Sequence, residues 1–234
     1  MDYREFYGTL CEVYEPVRPL AEKAGNIIML MRHKTLGRDI VFRYYREKMP
    51  VYDFLSGIRH ENLPEIYDTY VFDDGYAVLE EYISGENVAD VIEAGLYSYS
   101  GARRVVIQVC AALEALHGEG IVHRDIKPEN IIISDSGKVK LIDFDTARRF
   151  VEGKSNDTRV LGTPGYASPE QYGIIQTDSR SDIYSVGVLL NVMLTGKHPS
   201  EAMAKGKAGR IISKCTAISP EFRYSDIGKL IAAL

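Results

Sequence analysis

Residues 123–130 read His-Arg-Asp-Ile-Lys-Pro-Glu-Asn, and Asp143-Phe144-Asp145 follows, Asp143 lying eighteen positions after Asp125 (143 − 125). Two short apolar runs, 131–133 and 139–142, separate them and predict a hairpin that would hold the two acidic motifs together. A carboxylate can orient a hydroxyl nucleophile, and an amide oxygen with a second carboxylate supplies the hard donors that Mg²⁺ prefers. Asp125 is therefore the candidate base, and Asn130 and Asp143 the candidate metal ligands. Any single Asp here could be a turn former. Asp125, Lys127, Asn130 and Asp143 occurring together argue against that plain reading.

The surrounding motifs carry a resemblance. Gly162-Thr163-Pro164-Gly165-Tyr166-Ala167-Ser168-Pro169-Glu170 resembles the end of a protein kinase activation segment. Ser181-Asp182-Ile183-Tyr184-Ser185-Val186-Gly187-Val188-Leu189-Leu190 resembles the buried helix that supports a kinase catalytic loop. Pro220-Glu221-Phe222-Arg223-Tyr224 is similar to the segment whose Arg pairs with the Glu of Ala-Pro-Glu, here Glu170. The order of the motifs is that of the protein kinase family, the wording of residues 162–173 resembles bacterial Ser/Thr kinases, and Asp143-Phe144-Asp145 resembles the motif of kinase-like proteins of Gram-positive bacteria.

The resemblance implies an α+β fold of two lobes. A small antiparallel β-rich N-lobe would cover residues 1 to about 80, a connector 81–86, and a mainly helical C-lobe about 87–234. It implies transfer of the ATP γ-phosphate to Ser/Thr hydroxyls of a protein substrate, with Mg²⁺ or alternatively Mn²⁺ as cofactor. Asp125, Lys127 and Thr163 would be catalytic, with Thr163 orienting the other two. The nucleotide would meet Ile27, Val41, Arg43, Glu81, Ile83 and Ile132, with Ile83 using its backbone. Lys127 resembles the Ser/Thr rather than the Tyr class. His123 and Phe144 are expected to pack in a core column with Leu55 and Ile66 rather than to do chemistry.

Formal charge is −5 over 234 residues, with a pI near 5.6, which argues against a broad nucleic-acid-binding surface. Cys11, Cys110 and Cys215 have no metal or redox spacing, and an odd number fits no disulfide framework, so reduced thiols in a cytoplasmic protein are expected. No apolar run reaches membrane-spanning length, and Asp2 and Glu5 stand where a signal peptide would be basic. The chain would be either a stand-alone minimal kinase or a piece of a longer protein. Strands are expected at 26–32, 39–45, 66–72 and 76–81, with a hairpin turn at Asp73-Asp74-Gly75. A helix over 49–58 would bury Val51, Phe54, Leu55 and Ile58, and one over 102–117 would bury Val105, Val106, Val109, Leu113 and Leu116.

The N-terminal third departs from the family pattern. Gly25 falls at the last glycine of the phosphate loop, but Leu20 and Glu22 occupy the first two glycine positions, and Glu22 would set a like charge near phosphate. Arg43 replaces the phosphate-binding Lys, a planar fork in place of a point charge. Val51 replaces the helix Glu that normally pairs with it, with Glu47 and Asp53 the nearest acids. Glu80, before the connector, is an unusual carboxylate for its position, and an Arg43–Glu80 pair would satisfy both residues. The alternative is a solvent-facing Arg43 beside Glu47, with Lys23 as a displaced phosphate ligand. Asp145 stands where the family has Gly, which should restrain flipping of the motif. Arg124 suggests control by activation-segment phosphorylation, at Thr158 or Ser155 rather than Thr163. Against an active enzyme stand two other readings, a pseudokinase scaffold and a small-molecule kinase. The segment 162–170 argues against the second.

Overall fold

A computed structural model describes residues 2–23, 26–150, 163–172 and 177–234. The chain divides into a unit formed by Met1–His60 and Pro64–Ile83 and a second formed by Glu61–Leu63 and Ser84–Leu234. Gly25, Ser155, Thr158 and Gly162 lie outside the described residues, as does the Lys23 side chain. Among the described residues no helix is long and apolar enough to cross a membrane.

The first unit is a five-stranded antiparallel sheet of order β1-β2-β3-β5-β4, with β1 (Tyr14–Lys23), β2 (Asn26–His33), β3 (Asp39–Tyr45), β4 (Ile66–Phe72) and β5 (Gly75–Glu81). The four expected strands are present. β1 was not expected, because Pro16 and Pro19 do not read as a strand. They are tolerated because β1 is an edge strand, and its register shifts beside each of them. Helix α1 (Tyr3–Val13) covers one face of the sheet. Asp2 and Glu5 form a capping box, and Phe6 and Leu10 are buried against Met31, Phe42, Tyr44 and Leu79.

Helix α2 (Pro50–Leu55) is shorter than the apolar spacing predicts. Val51, Tyr52 and Leu55 are buried, whereas Phe54 is 41% exposed. Tyr52 takes the inward place because its hydroxyl meets that of Tyr45 at 3.1 Å, so a polar-tipped side chain is satisfied in the core. Leu55 and Ile66 are both buried in this unit.

The second unit is mainly helical. A three-stranded sheet runs β6 (Gly85–Asn87), β8 (Ile131–Ser134), β9 (Val139–Leu141), and β7 (Ile121–Val122) pairs with β10 (Arg148–Arg149). Helices are α3 (Val88–Ala94), α4 (Tyr99–Gly118), α5 (Ser179–Thr195), α6 (Gly206–Cys215) and α7 (Ile227–Ala233). All five apolar residues expected to face inward from α4 are buried. Gly187 allows α5 and α6 to approach, since a Cβ there would collide with the Cys215 side chain. The 61–63 segment belongs here. Asn62 donates to the Val139 carbonyl at 2.7 Å and Gln108 at 3.1 Å.

Candidate active site

The β8–β9 hairpin forms as expected, and its register sets the site. Ile131 faces Leu141, and the Ile142 amide donates to the Asn130 carbonyl at 2.9 Å, so Asn130 lies across from the residue that precedes Asp143. Asp125 is 8% exposed and engaged at both oxygens. Its Oδ1 accepts from the Thr163 hydroxyl at 2.6 Å and the Thr163 amide at 3.2 Å. Its Oδ2 accepts from Asn130 Nδ2 at 3.0 Å and lies 3.0 Å from Lys127 Nζ. Lys127 Nζ also donates to Thr163 Oγ1 at 2.9 Å, which closes a ring of three side chains. Burial by itself would raise the Asp125 carboxyl, but the hydrogen bonds from Thr163 and Lys127 and the Lys127 charge outweigh it and hold the group below the usual carboxylate range. It is ionised at neutral pH.

Among the described residues, two with side chains take positive φ, Arg124 at 71° and Asp143 at 67°, a conformation that costs about 1–3 kcal/mol per residue and persists where surroundings enforce it. At Arg124 the enforcement comes from α5. Asp182, fully buried, accepts from the amides of His123 at 2.9 Å and Arg124 at 2.8 Å, and from His117 Nε2 at 2.8 Å. Gln171 donates to the Arg124 carbonyl at 2.8 Å. Burial works against the Asp182 charge, yet His117, His123 and the Arg124 amide together hold its carboxyl below the ordinary value. Sequence reasoning placed Asp182 in a supporting helix without giving it a role. A carboxylate beginning an otherwise apolar helical run was the available signal, because such a charge must find donors.

The left-handed residue of the Asp143-Phe144-Asp145 motif is Asp143, not Asp145, which stands at the position where the family has Gly. The Asp145 amide reaches back to Asp143 Oδ1 at 3.4 Å. His123 and Phe144 pack edge to face at 5.2 Å between ring centroids, as a core pair. His123 Nε2 faces the Ile142 carbonyl at 3.3 Å and Nδ1 faces the Asp125 amide at 3.4 Å, so the neutral ring donates from one nitrogen and accepts at the other. Burial lowers the His123 pKa against the opposing pull of Asp182, Asp143 and Asp125.

These shifts set a pH dependence. The unfolded chain takes up a proton on His123 near pH 6.5 while the folded chain does not, so stability falls as pH drops below that value. Asp125, Asp182 and Glu170 have depressed folded values, and their stabilisation is present above the unfolded carboxylate range and lost as pH falls through the lower folded values. Urea midpoints should be flat near pH 7–8, decline from about 6.5 and fall more steeply below about 4. A midpoint unchanged down to pH 5 would contradict the burial assigned to His123.

The expected Glu170–Arg223 pair is bidentate, at 2.6 and 2.8 Å, with the Arg223 side chain wholly buried. Ser181 donates to the same carboxylate at 2.8 Å, and Arg223 donates to the carbonyls of Ala217, Ile218 and Arg180. This tethers residues 169–172 to α5.

In the sheet unit the Arg43–Glu80 pair is present. Arg43 Nε donates to Glu80 Oε1 at 2.6 Å, with both side chains nearly excluded from solvent. Strand register explains it. Arg43 is opposite Val78 and Val41 opposite Glu80, so Arg43 and Glu80 are diagonal neighbours on one face of β3 and β5. Glu47, the alternative partner, is exposed, and Val51 is buried in α2. Arg43 also reaches the Tyr45 hydroxyl at 3.4 Å, which extends the network to Tyr52.

The same register corrects one expected nucleotide residue. Ile27 is opposite Tyr44 and packs with Met29 among the residues under α1. It therefore lies on the other face from Val41 and Arg43. Ile28, opposite Arg43, is the β2 residue that shares their face. Alternation in a strand makes a shift of one residue a change of face. Val41 and Ile83 are buried, and Glu81 is tied to Glu65 through its amide at 2.8 Å and its carboxylate at 3.1 Å. Ile132 lies on β8, opposite Lys140.

An antiparallel sheet with a buried Arg–Glu pair and a helical unit presenting a His-Arg-Asp loop define a two-lobed α+β fold of the kinase class. Residues 46–226 match the family described as protein kinase domain, and the chain belongs to that family. Among curated proteins it is 36% identical over 204 residues to a probable serine/threonine-protein kinase of Corynebacterium efficiens, covering 83% of this chain and 30% of that protein. It is 40% identical over 152 residues to the probable serine/threonine-protein kinase PknB of Corynebacterium glutamicum, covering 62% and 24%. A probable myosin light chain kinase of Dictyostelium discoideum is 29% identical over 219 residues, covering 88% and 62%. The chain thus spans less than a third of the length of the two bacterial relatives.

Proposed function

We propose that this chain transfers the γ-phosphate of ATP to Ser or Thr hydroxyls of a protein substrate. The observation that carries the reading is the closed ring of Asp125, Lys127 and Thr163, with Asn130 on the second oxygen of Asp125. The hydroxyl oxygen of the substrate bonds to the γ-phosphorus, the bond to the bridging oxygen breaks, and the hydroxyl proton passes to Asp125. A carboxylate held below its usual range is a weak base, so Asp125 acts chiefly by orienting the nucleophile, as a loose phosphoryl-transfer transition state requires. Lys127 lies beside it as a positive charge for the transferred group.

A divalent cation fits the residues present. The Nδ2 of Asn130 is committed to the Asp125 carbonyl and carboxylate, which leaves the opposite amide oxygen for a ligand, and Asp143 adds a carboxylate. Two protein oxygens suit Mg²⁺, which keeps water and phosphate oxygens in its shell, and Mn²⁺ would fit the same donors. Bound there, the ion would offset charge on the phosphates. Val41, Arg43, Glu81, Ile83 and Ile132 are the proposed nucleotide contacts, with Ile28 in place of Ile27. The domain is proposed to comprise residues 1–234, with the connector at 81–86. A cytoplasmic setting fits three free thiols, two of them buried.

The test is transfer of labelled γ-phosphate, with Mg²⁺ or Mn²⁺, to the chain itself and to a basic protein. Label above a nucleotide-only blank supports the reading. Absence of label together with nucleotide-dependent thermal stabilisation would replace it with a nucleotide-binding pseudokinase. Thr163→Ala removes two charge-assisted hydrogen bonds at the ring and should lower kcat about 10–100-fold, the equivalent of one to two such bonds. Thr163→Ser should recover most of that loss, and an unchanged kcat in the Ala variant would take Thr163 out of the site.

A further inference from the structure

Away from the catalytic loop, the helical unit carries an open groove of about 570 Å³ lined by Met203, Ala204, Arg210, Lys214, Ala217 and Phe222. Its wall is built in advance. Asn191, fully buried on α5, donates to the carbonyls of Lys197 at 2.8 Å and Ala202 at 2.7 Å and accepts from the Ala204 amide at 2.9 Å. Gly209 lets the Ala204 carbonyl lie against α6 where any Cβ would collide with it. The backbone that holds Met203 is therefore fixed while Met203 itself is 42% exposed, and Phe222 and Ile218 are 70% and 79% exposed. Large apolar side chains held in water on a pinned frame mark a surface made for contact.

The charge of this region is opposite to that of the chain. Residues 201–222, which span the groove lining, contain Lys205, Lys207, Arg210 and Lys214 against Glu201 and Glu221, a net of +2 (4 − 2) in a protein of formal charge −5. Lys207 is used, donating to the Leu234 carbonyl at 2.9 Å. Lys214 lies over the Tyr224 ring at 4.4 Å, and among the described residues neither it nor Arg210 forms an ion pair. We propose that the groove docks an acidic peptide segment of a partner protein, with one bulky apolar side chain seated between Met203 and Phe222 and flanking carboxylates facing Arg210 and Lys214. Charge complementarity chooses this occupant. A concave apolar floor takes a single side chain, and cations at its rim select the anionic sequence that presents it.

The test uses fluorescein-labelled hexapeptides of the form Asp-Glu-X-X-Asp-Glu, with X Leu, Ile, Phe or Met, titrated by anisotropy against the whole chain. Controls replace X by Ser or the acids by Lys. At least one acidic apolar peptide should bind saturably, more tightly at low salt. Arg210→Glu with Lys214→Glu should weaken it at least about tenfold, as loss of complementary rim charges does, and Met203→Ser should weaken it further. These residues are exposed, so melting temperature should hold. Failure of every acidic apolar peptide, equal binding of the Lys or Ser controls, or indifference to charge reversal would overturn the proposal. So would sedimentation showing a second copy on this face, or capture by phosphatidylserine vesicles in place of peptide. None of these readouts depends on phosphate transfer.

Discussion

Asp125→Asn should lower phosphate transfer by about 10²–10⁴-fold, the range associated with a positioned acid–base group, while the protein remains folded. Asn keeps the shape of the side chain and one oxygen for the Thr163 hydroxyl, which donates to Asp125 at 2.6 Å in the native ring. It loses the negative charge that faces Lys127 and the affinity for the substrate proton. Lys127 keeps its bond to Thr163 and is 20% exposed at the side chain, so its charge is not stranded. Steady-state transfer and nucleotide-dependent melting, measured on the same samples, separate chemistry from folding. Full transfer by the Asn variant would remove Asp125 from the role proposed for it.

Breaking the Arg43–Glu80 pair from one side should be the costliest change to stability. Arg43→Met leaves the Glu80 carboxylate inside the sheet, and Glu80→Leu leaves the guanidinium there, with both native side chains no more than 6% exposed. Removing one member of a buried ion pair costs about 3–5 kcal/mol, whereas replacing both by apolar groups of similar volume is often neutral. The Arg43→Met/Glu80→Leu double variant should therefore regain most of the stability lost by either single one. Urea unfolding of all four proteins closes the cycle. Additive losses would show that the two side chains do not depend on each other. The double variant also dissects function: lost nucleotide-dependent stabilisation would confirm Arg43 as a phosphate contact, and its survival would make the pair purely structural.

Legibility differed sharply between the two units. The catalytic loop, the Asp-Phe-Asp motif and the α4 stripe were readable because residue type and short spacing carry their meaning, whereas the Glu170–Arg223 pair, 53 residues apart, was implied only by the family resemblance. Even the Arg43–Glu80 pair could be anticipated, since two misplaced charges on neighbouring strands solve each other's desolvation. The sheet unit was otherwise harder. Pro16 and Pro19 hid an edge strand, Tyr52 hid the inward face of α2, and α1 was passed over although Phe6 and Leu10 are spaced to share a face.

The one-residue error at Ile27 has the same origin. A run such as Asn26-Ile27-Ile28-Met29-Leu30-Met31 is apolar on both faces, so composition cannot say which side chains lie under α1 and which lie beside Arg43. Pairing with β3 decides it, because period-two alternation turns register into face. Asp182 makes the matching case in the helical unit. Its three donors lie 58, 59 and 65 residues away in the chain, and only the packing of α5 beneath the loop brings them together. Local motifs state which chemistry a chain can attempt. Which donors a buried carboxylate such as Asp182 collects, and which face a strand presents, are properties of contacts between distant segments, and those exist only once the chain has folded.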